Sequence, residues 1–183
     1  ALRTVPAGIS LKGLKIAVDC AHGATCGPTP LALQRLGARV IPICCEPEGS
    51  KINDACGSLH PEVVQHHAAA NGAQLGLAHD GDGDRLILVD EAGQVVCGDR
   101  ILGLSAAGLQ ERGELSRNCV VGTILSNIGL EHWLDDRGVR FSRTEVGDRN
   151  VWQMMRQEGA DLGGEPSGHT IFRRLARTDD ALL

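Results

Sequence analysis

Short apolar runs and amphipathic stretches take turns along this chain. Leu14 to Asp19 (LKIAVD) is apolar, short and bracketed by Gly13 and Gly23, which predicts a buried strand. Pro28 to Leu36 carries apolar residues at helical spacing and stops at Gly37. Ala38 to Ile43 reads as the next strand, and Glu46 to Ser58 as a polar loop. Pro61 to Ala70 reads as a helix opened by proline and closed by Asn71-Gly72. Ala73 to Ala78 is a third strand, and Leu86 to Asp90 with Gln94 to Val96 form a hairpin around Glu91-Ala92-Gly93. Past Asp99 the alternation restarts. Helices are predicted at Ile101 to Glu111, Gly129 to Asp136 and Asp148 to Gln157, and strands at Cys119 to Thr123 and Val139 to Thr144. A polar loop, Gly163 to His169, precedes Thr170-Ile171-Phe172. This order is that of an α/β protein with largely parallel sheets, in two consecutive domains, 1–98 and 99–183, meeting near Gly98.

Composition narrows the function classes. The chain has 183 residues, 42% hydrophobic and 22% charged, enough to bury a core and ordinary for a soluble globular protein. A net charge of −5 disfavours a nucleic-acid backbone as partner. Phe141, Phe172, Trp133 and Trp152 are the only aromatics, too few for a base-stacking platform. No apolar run is long enough to span a bilayer and no signal-peptide pattern opens the chain, so no membrane role and a cytoplasmic location are expected. Seven cysteines, an odd number without a CxxC pair, read as reduced thiols of a cytosolic protein. Cys20, His22 and Cys26 fit no common zinc spacing.

The stretch with the most chemistry is His79-Asp80-Gly81-Asp82-Gly83-Asp84-Arg85, between two apolar strands. Three carboxylates stand at alternate residues with glycine in both gaps. At roughly 4 Å each pair of like charges repels by about 4 kcal/mol near a protein surface, so the cluster calls for a cation. Oxygen-only donors suit a hard ion, Mg²⁺ or Ca²⁺, and glycine lets the backbone turn the side chains inward. An EF-hand would need glycine where Arg85 stands, and helices rather than strands beside the loop. An aspartate-nucleophile phosphatase, with Asp80 attacking phosphorus, remains a competing reading. Elsewhere, His22 and Asp148 read as caps of the helices that follow them.

Six segments then fall into place together. Asp80 to Arg85, Gly98-Asp99-Arg100, Val146-Gly147-Asp148-Arg149 and Gly163-Gly164-Glu165-Pro166-Ser167-Gly168-His169 resemble the α-D-phosphohexomutase superfamily. Val18 to Ala24 and Gly122 to Glu131 narrow the resemblance to the bacterial phosphoglucosamine mutases, from about Gly13 to Phe172. The resemblance implies the second and third domains of a four-domain enzyme, each a three-layer α/β domain. It implies Asp80, Asp82 and Asp84 as Mg²⁺ ligands and Arg85 as the catalytic residue that positions or neutralises the phosphoryl group. Glu165, Ser167, His169 and Arg149 would bind a hexosamine phosphate. The phosphoserine belongs to an N-terminal domain and a further phosphate-binding loop to a C-terminal domain, so complete turnover is not expected of this polypeptide alone. A sugar-phosphate and Mg²⁺ binding module without chemistry is the other reading.

Local departures from the family pattern stand at four places. Glu145 replaces a usual lysine, Asn150 a usual tyrosine, and Pro166 a usual glutamine, asparagine or methionine. Thr178-Asp179-Asp180-Ala181 resembles a Thr-Gly-Asp-Gly segment with both glycines lost.

Overall fold

Side-chain alternation along β1 (Lys15–Asp19) sets the layers of the first unit. Ile16 and Val18 face one side of the sheet and pack with Ala38, Leu77 and, at the margin, Leu33 of helix α1 (Pro28–Arg35). Ala17 faces the other side, against Val64 and Ala68 of α2 (Pro61–Asn71). Proline opens both helices, where its missing N–H has no partner to lose. The sheet adds β2 (Arg39–Ile43), β3 (Leu75–His79), β4 (Leu86–Val89) and β5 (Val95–Val96). Its order is β2-β1-β3-β4-β5. β1 pairs in parallel with β2 and β3, while β4 and β5 return antiparallel as the expected hairpin.

The computed structural model describes residue 5 and residues 8–175. Part of the N-terminal stretch and all of the Thr178 to Ala181 segment lie outside the described residues. The chain divides into two compact units, with the break between Val96 and Cys97. Gly98 therefore belongs to the second unit. There α3 (Gly98–Glu111) starts three residues earlier than the apolar spacing predicts, with Cys97 at its N-cap.

The second unit repeats the plan with different lengths. Its sheet runs β7-β6-β8-β9, from β7 (Arg140–Thr144), β6 (Cys119–Thr123), β8 (Leu162–Gly164) and β9 (Thr170–Phe172). β6 is parallel to β7 and β8, and β9 is antiparallel to β8. Val120 faces α3 and α4 (Ile128–Asp135), with Leu102, Leu130 and Leu134 around it. Trp133, Phe141 and Phe172 pack against that layer, so three of the four aromatics share it. Cys119, Val121 and Ile171 face α5 (Asp148–Glu158) through Val151 and Met155. In both units the parallel strands finish at one sheet edge, the place where α/β folds gather functional loops. Among the described residues no helix is long and apolar enough to cross a membrane.

One buried carboxylate ties the base of the second unit. Asp161, 3% exposed, accepts from the Ser116 amide at 2.9 Å, from the Ser116 hydroxyl, from Arg173 at 2.9 Å and from Arg174 at 3.2 Å. Burial raises its pKa, but these donors outweigh burial and hold the carboxyl at about 2 against the ordinary 3.8. A depressed folded-state pKa gives stability that is complete above about pH 4 and lost as pH falls towards about 2. The shift corresponds to roughly 2 kcal/mol. Acid unfolding followed by circular dichroism is expected to lose that increment in this window, and Asp161→Asn is expected to remove that increment from the pH dependence there.

Candidate functional site

The aspartate loop starts from a fixed point. His79 ends β3 fully buried, with Nε2 at 3.2 Å from the Thr29 hydroxyl. Asp80 follows at 4% exposure, and its Oδ1 accepts from the amides of Gly83 at 3.2 Å and Arg85 at 3.1 Å. Its Oδ2 meets Arg85 Nε at 3.1 Å, and the same Nε lies 3.8 Å from Asp84. Asp82 is exposed and Asp84 half-buried, and one carboxylate oxygen from each of Asp80, Asp82 and Asp84 lies within 4.8 Å of the others. Burial pushes the Asp80 carboxyl up, yet bonding to Asp84, the Arg85 amide and charge, and Asp82 leaves it below the ordinary 3.8. The group is ionised at neutral pH.

The loop is held from behind by the turn after β1. Ala24 N–H donates to Gly81 O at 2.8 Å, and a Cβ added at Gly23 would overlap that oxygen. At Gly81 a Cβ would collide with Ile52, so this glycine serves close packing. The inward turn expected of both glycines is made at Gly83, whose φ is +80°. Under the turn, Asp19 is fully buried and accepts from Ala21 N and Gly57 N, each at 2.9 Å. Burial raises its pKa above the ordinary value, against those two bonds. Sequence reading gave Asp19 only a place at a strand end. Its partner Gly57 is 38 residues away, and no local pattern announces the bond.

His22 does not cap the next helix. Its backbone sits at φ +52° and its Nδ1 is 2.9 Å from Glu46 O, while Gly23 is the N-cap of the short 3-10 turn Ala24–Cys26. Asp148 is likewise the first helical residue of α5; Gly147 holds the N-cap, without a side-chain cap bond. An acidic residue there still favours the helix through its N-terminal partial charge.

The second unit assembles the other predicted residues around Glu165. This side chain is 6% exposed; Oε1 accepts from Gly147 N at 2.9 Å and Oε2 lies 2.8 Å from His169 Nδ1. Backbone bonds Glu165 N to His169 O at 2.8 Å and Gly168 N to Glu165 O at 3.1 Å close the turn. Ser167 is exposed at its tip. Gly98 N donates to Pro166 O at 3.1 Å, and Asp99 accepts from Asn127 N at 2.8 Å. Four sequence segments thus meet at one end of the unit. Arg149 is exposed on the first turn of α5, beside exposed Glu145, and Asn150 donates to Val146 O at 2.9 Å.

Models of the phosphoglucomutase/phosphomannomutase alpha/beta/alpha domains II and III match residues 4–93 and 97–183. The chain belongs to the phosphoglucomutase/phosphomannomutase family. It is 52% identical over 178 residues to phosphoglucosamine mutase of Desulfovibrio desulfuricans, and 48% identical over 180 residues to that of Cereibacter sphaeroides. These alignments cover 97% and 98% of this chain, which spans 40% of the length of either relative. A phosphoglucomutase/phosphomannomutase family protein from Burkholderia thailandensis superimposes with a TM-score of 0.81 at 30% identity, over 92% of this chain and 37% of that one. Aspergillus fumigatus N-acetylphosphoglucosamine mutase, solved with GlcNAc-6P and magnesium, gives 0.67 at 22% identity over 90% of this chain and 36% of that one. That last likeness is one of fold. The α/β architecture with mixed sheets is the family's own.

The residues present fit a hard divalent ion. Oxygens bound to one octahedral Mg²⁺ stand about 3 to 4 Å apart, so a set already within 4.8 Å needs little movement. Gly23→Ala tests the support behind that set. It is expected to cost about 1–3 kcal/mol in thermal unfolding and to weaken Mg²⁺-dependent stabilisation. Gly49→Ala, where a Cβ meets nothing within 4 Å, is expected to change neither.

Proposed function

We propose that this chain is the metal- and sugar-binding part of a phosphoglucosamine mutase. The parent reaction would interconvert glucosamine 6-phosphate and glucosamine 1-phosphate through the 1,6-bisphosphate. The observation that carries this reading is the convergence of three carboxylate oxygens on a loop at the parallel edge of the first sheet.

Asp80, Asp82 and Asp84 would hold Mg²⁺, which when bound withdraws charge from a phosphoryl group. Asp80 brings a carboxylate fixed at Oδ1 by two amides, and exposed Asp82 leaves a side open for a phosphate oxygen. Arg85 is ion-paired with Asp80, its Nε 3.1 Å from Oδ2. The N–H donors of its guanidinium would take the oxygens of the moving phosphoryl group. The phosphoserine that gives and receives that group would come from the N-terminal domain of the parent enzyme, and a further phosphate clamp from its C-terminal domain. In the second unit Glu165, fixed by Gly147 and His169, would accept from sugar hydroxyls, Ser167 and His169 would add bonds, and Arg149 would meet the substrate phosphate.

The competing phosphatase reading asks Asp80 to attack phosphorus. Both of its oxygens are engaged, one by two amides and one by Arg85, and the residue is 4% exposed. An anchored ligand suits that geometry better than a nucleophile.

Two experiments test the proposal. Given Mg²⁺ and glucosamine 1,6-bisphosphate, the chain is expected to bind saturably without releasing phosphate, and isomerisation is expected only when the two other domains are supplied. Phosphate release with a trapped aspartyl-phosphate, abolished by Asp80→Asn, would establish the phosphatase instead. In thermal-shift measurements Asp82→Ala is expected to remove the Mg²⁺-dependent rise in Tm. An unchanged Mg²⁺ response would remove the ligand assignment.

A further inference from the structure

Five of the seven cysteines, which the aspartate chemistry does not use, are gathered at the same edge of the first sheet. Cys20 leaves β1, Cys44 and Cys45 leave β2, Cys26 closes the 3-10 turn, and Cys56 comes from the long loop. Parallel pairing brings the two strand ends together, Asp19 lying beside Ile43. Consecutive residues at a strand end point to opposite faces, and Cys44 and Cys45 do so. Cys45 packs with Cys20 and Cys26 on the α1 side, Cys44 with the α2 side. Two separate triads result: Cys20, Cys26 and Cys45, and His22, Cys44 and Cys56. The set considered from sequence spacing, Cys20, His22 and Cys26, is thus divided between them.

We propose that Cys20, Cys26 and Cys45 form a three-thiolate site for a soft d10 metal ion of the Cu(I) class. The three sulfurs lie within 4.8 Å of one another. Sulfurs about 2.3 Å from a central ion stand about 4 Å apart in a trigonal plane, so closing the site takes a small contraction. An all-thiol set with no carboxylate or imidazole selects soft ions, and three-coordination suits Cu(I) better than the four ligands zinc prefers. The site is reachable yet sheltered: Cys20 is fully buried beneath, whereas Cys26 and Cys45 are half-buried. Cys45 Sγ also donates to Cys26 O at 3.1 Å, which ties the turn to the strand end.

Binding exchanges each S–H for an S–metal bond and releases one proton per thiol to solvent, with no change of oxidation state. In the metal-free site burial, then neighbouring Cys45, push the Cys26 thiol up to about 11 and raise Cys20 as well. Sulfur is a soft donor and carboxylate oxygen a hard one, so the two sites sort hard from soft ions. Cys26 shares its 3-10 turn with Ala24, whose N–H holds Gly81 O. A soft ion would therefore brace the wall behind the aspartate loop.

The test presents Cu(I), as its coloured bathocuproine disulfonate complex, to the reduced chain without oxygen. The wild-type chain is expected to take one equivalent from the chelator. Cys26→Ser and Cys45→Ser are each expected to lose that transfer, and Cys56→Ser and Cys119→Ser to keep it. A second readout needs no variant: Cu(I) is expected to protect Cys26 and Cys45 from iodoacetamide while Cys97 alkylates as before, mapped by mass spectrometry. The proposal is overturned by absence of transfer, by loss in Cys56→Ser instead of Cys26→Ser, or by equal alkylation of Cys26 and Cys45 with and without Cu(I).

Discussion

Mutual repulsion among Asp80, Asp82 and Asp84 is the constraint that the first unit is arranged around. Each pair of such charges costs about 4 kcal/mol at roughly 4 Å near a protein surface. Arg85 cancels one of the three charges through its contacts at 3.1 and 3.8 Å. The two left over match a divalent cation. Bonding to Asp84, the Arg85 amide and charge, and Asp82 holds the Asp80 carboxyl below its ordinary value despite burial, so the charge is built in rather than avoided. The fold holds the loop against this repulsion with packing that tolerates no Cβ at Gly23 or Gly81.

Sheet topology explains why chemistry collects where it does. In the first unit the parallel ends of β1, β2 and β3 deliver the Cys20 turn, the Cys44-Cys45 pair and the aspartate loop to one edge. In the second, the ends of β6, β7 and β8 deliver Asn127, Gly147 and Glu165. Glu165 does for the Gly163 to His169 loop what Asp80 does for the aspartate loop. Each is a buried carboxylate whose oxygens are held by backbone amide and cationic or imidazole partners, and whose loop closes around it.

Much of this was readable before any coordinates. Glycine brackets around LKIAVD, proline starts at Pro28 and Pro61 and the uninterrupted run at Cys119 to Thr123 carry enough local signal to place elements within a residue or two. The aspartates announce themselves through charge density alone. What stayed hidden depends on partners distant in sequence. The start of α3 at Gly98 is anchored by Pro166, and Gly147 takes the N-cap because Glu165 receives its amide. His22 turns to Glu46, and the thiols sort into faces only once β1 and β2 are paired in register. Spacing along the chain contains none of these contacts.

The central claim is that the aspartate loop surrounds one divalent cation. It is tested most directly by growing crystals with Mn²⁺ in place of Mg²⁺ and locating the ion by anomalous diffraction. The account predicts a single strong peak in the first unit, roughly 2.1 Å from an oxygen of each of Asp80, Asp82 and Asp84. A peak bound by only one of the three, or a loop without an ion at saturating Mn²⁺, would contradict it.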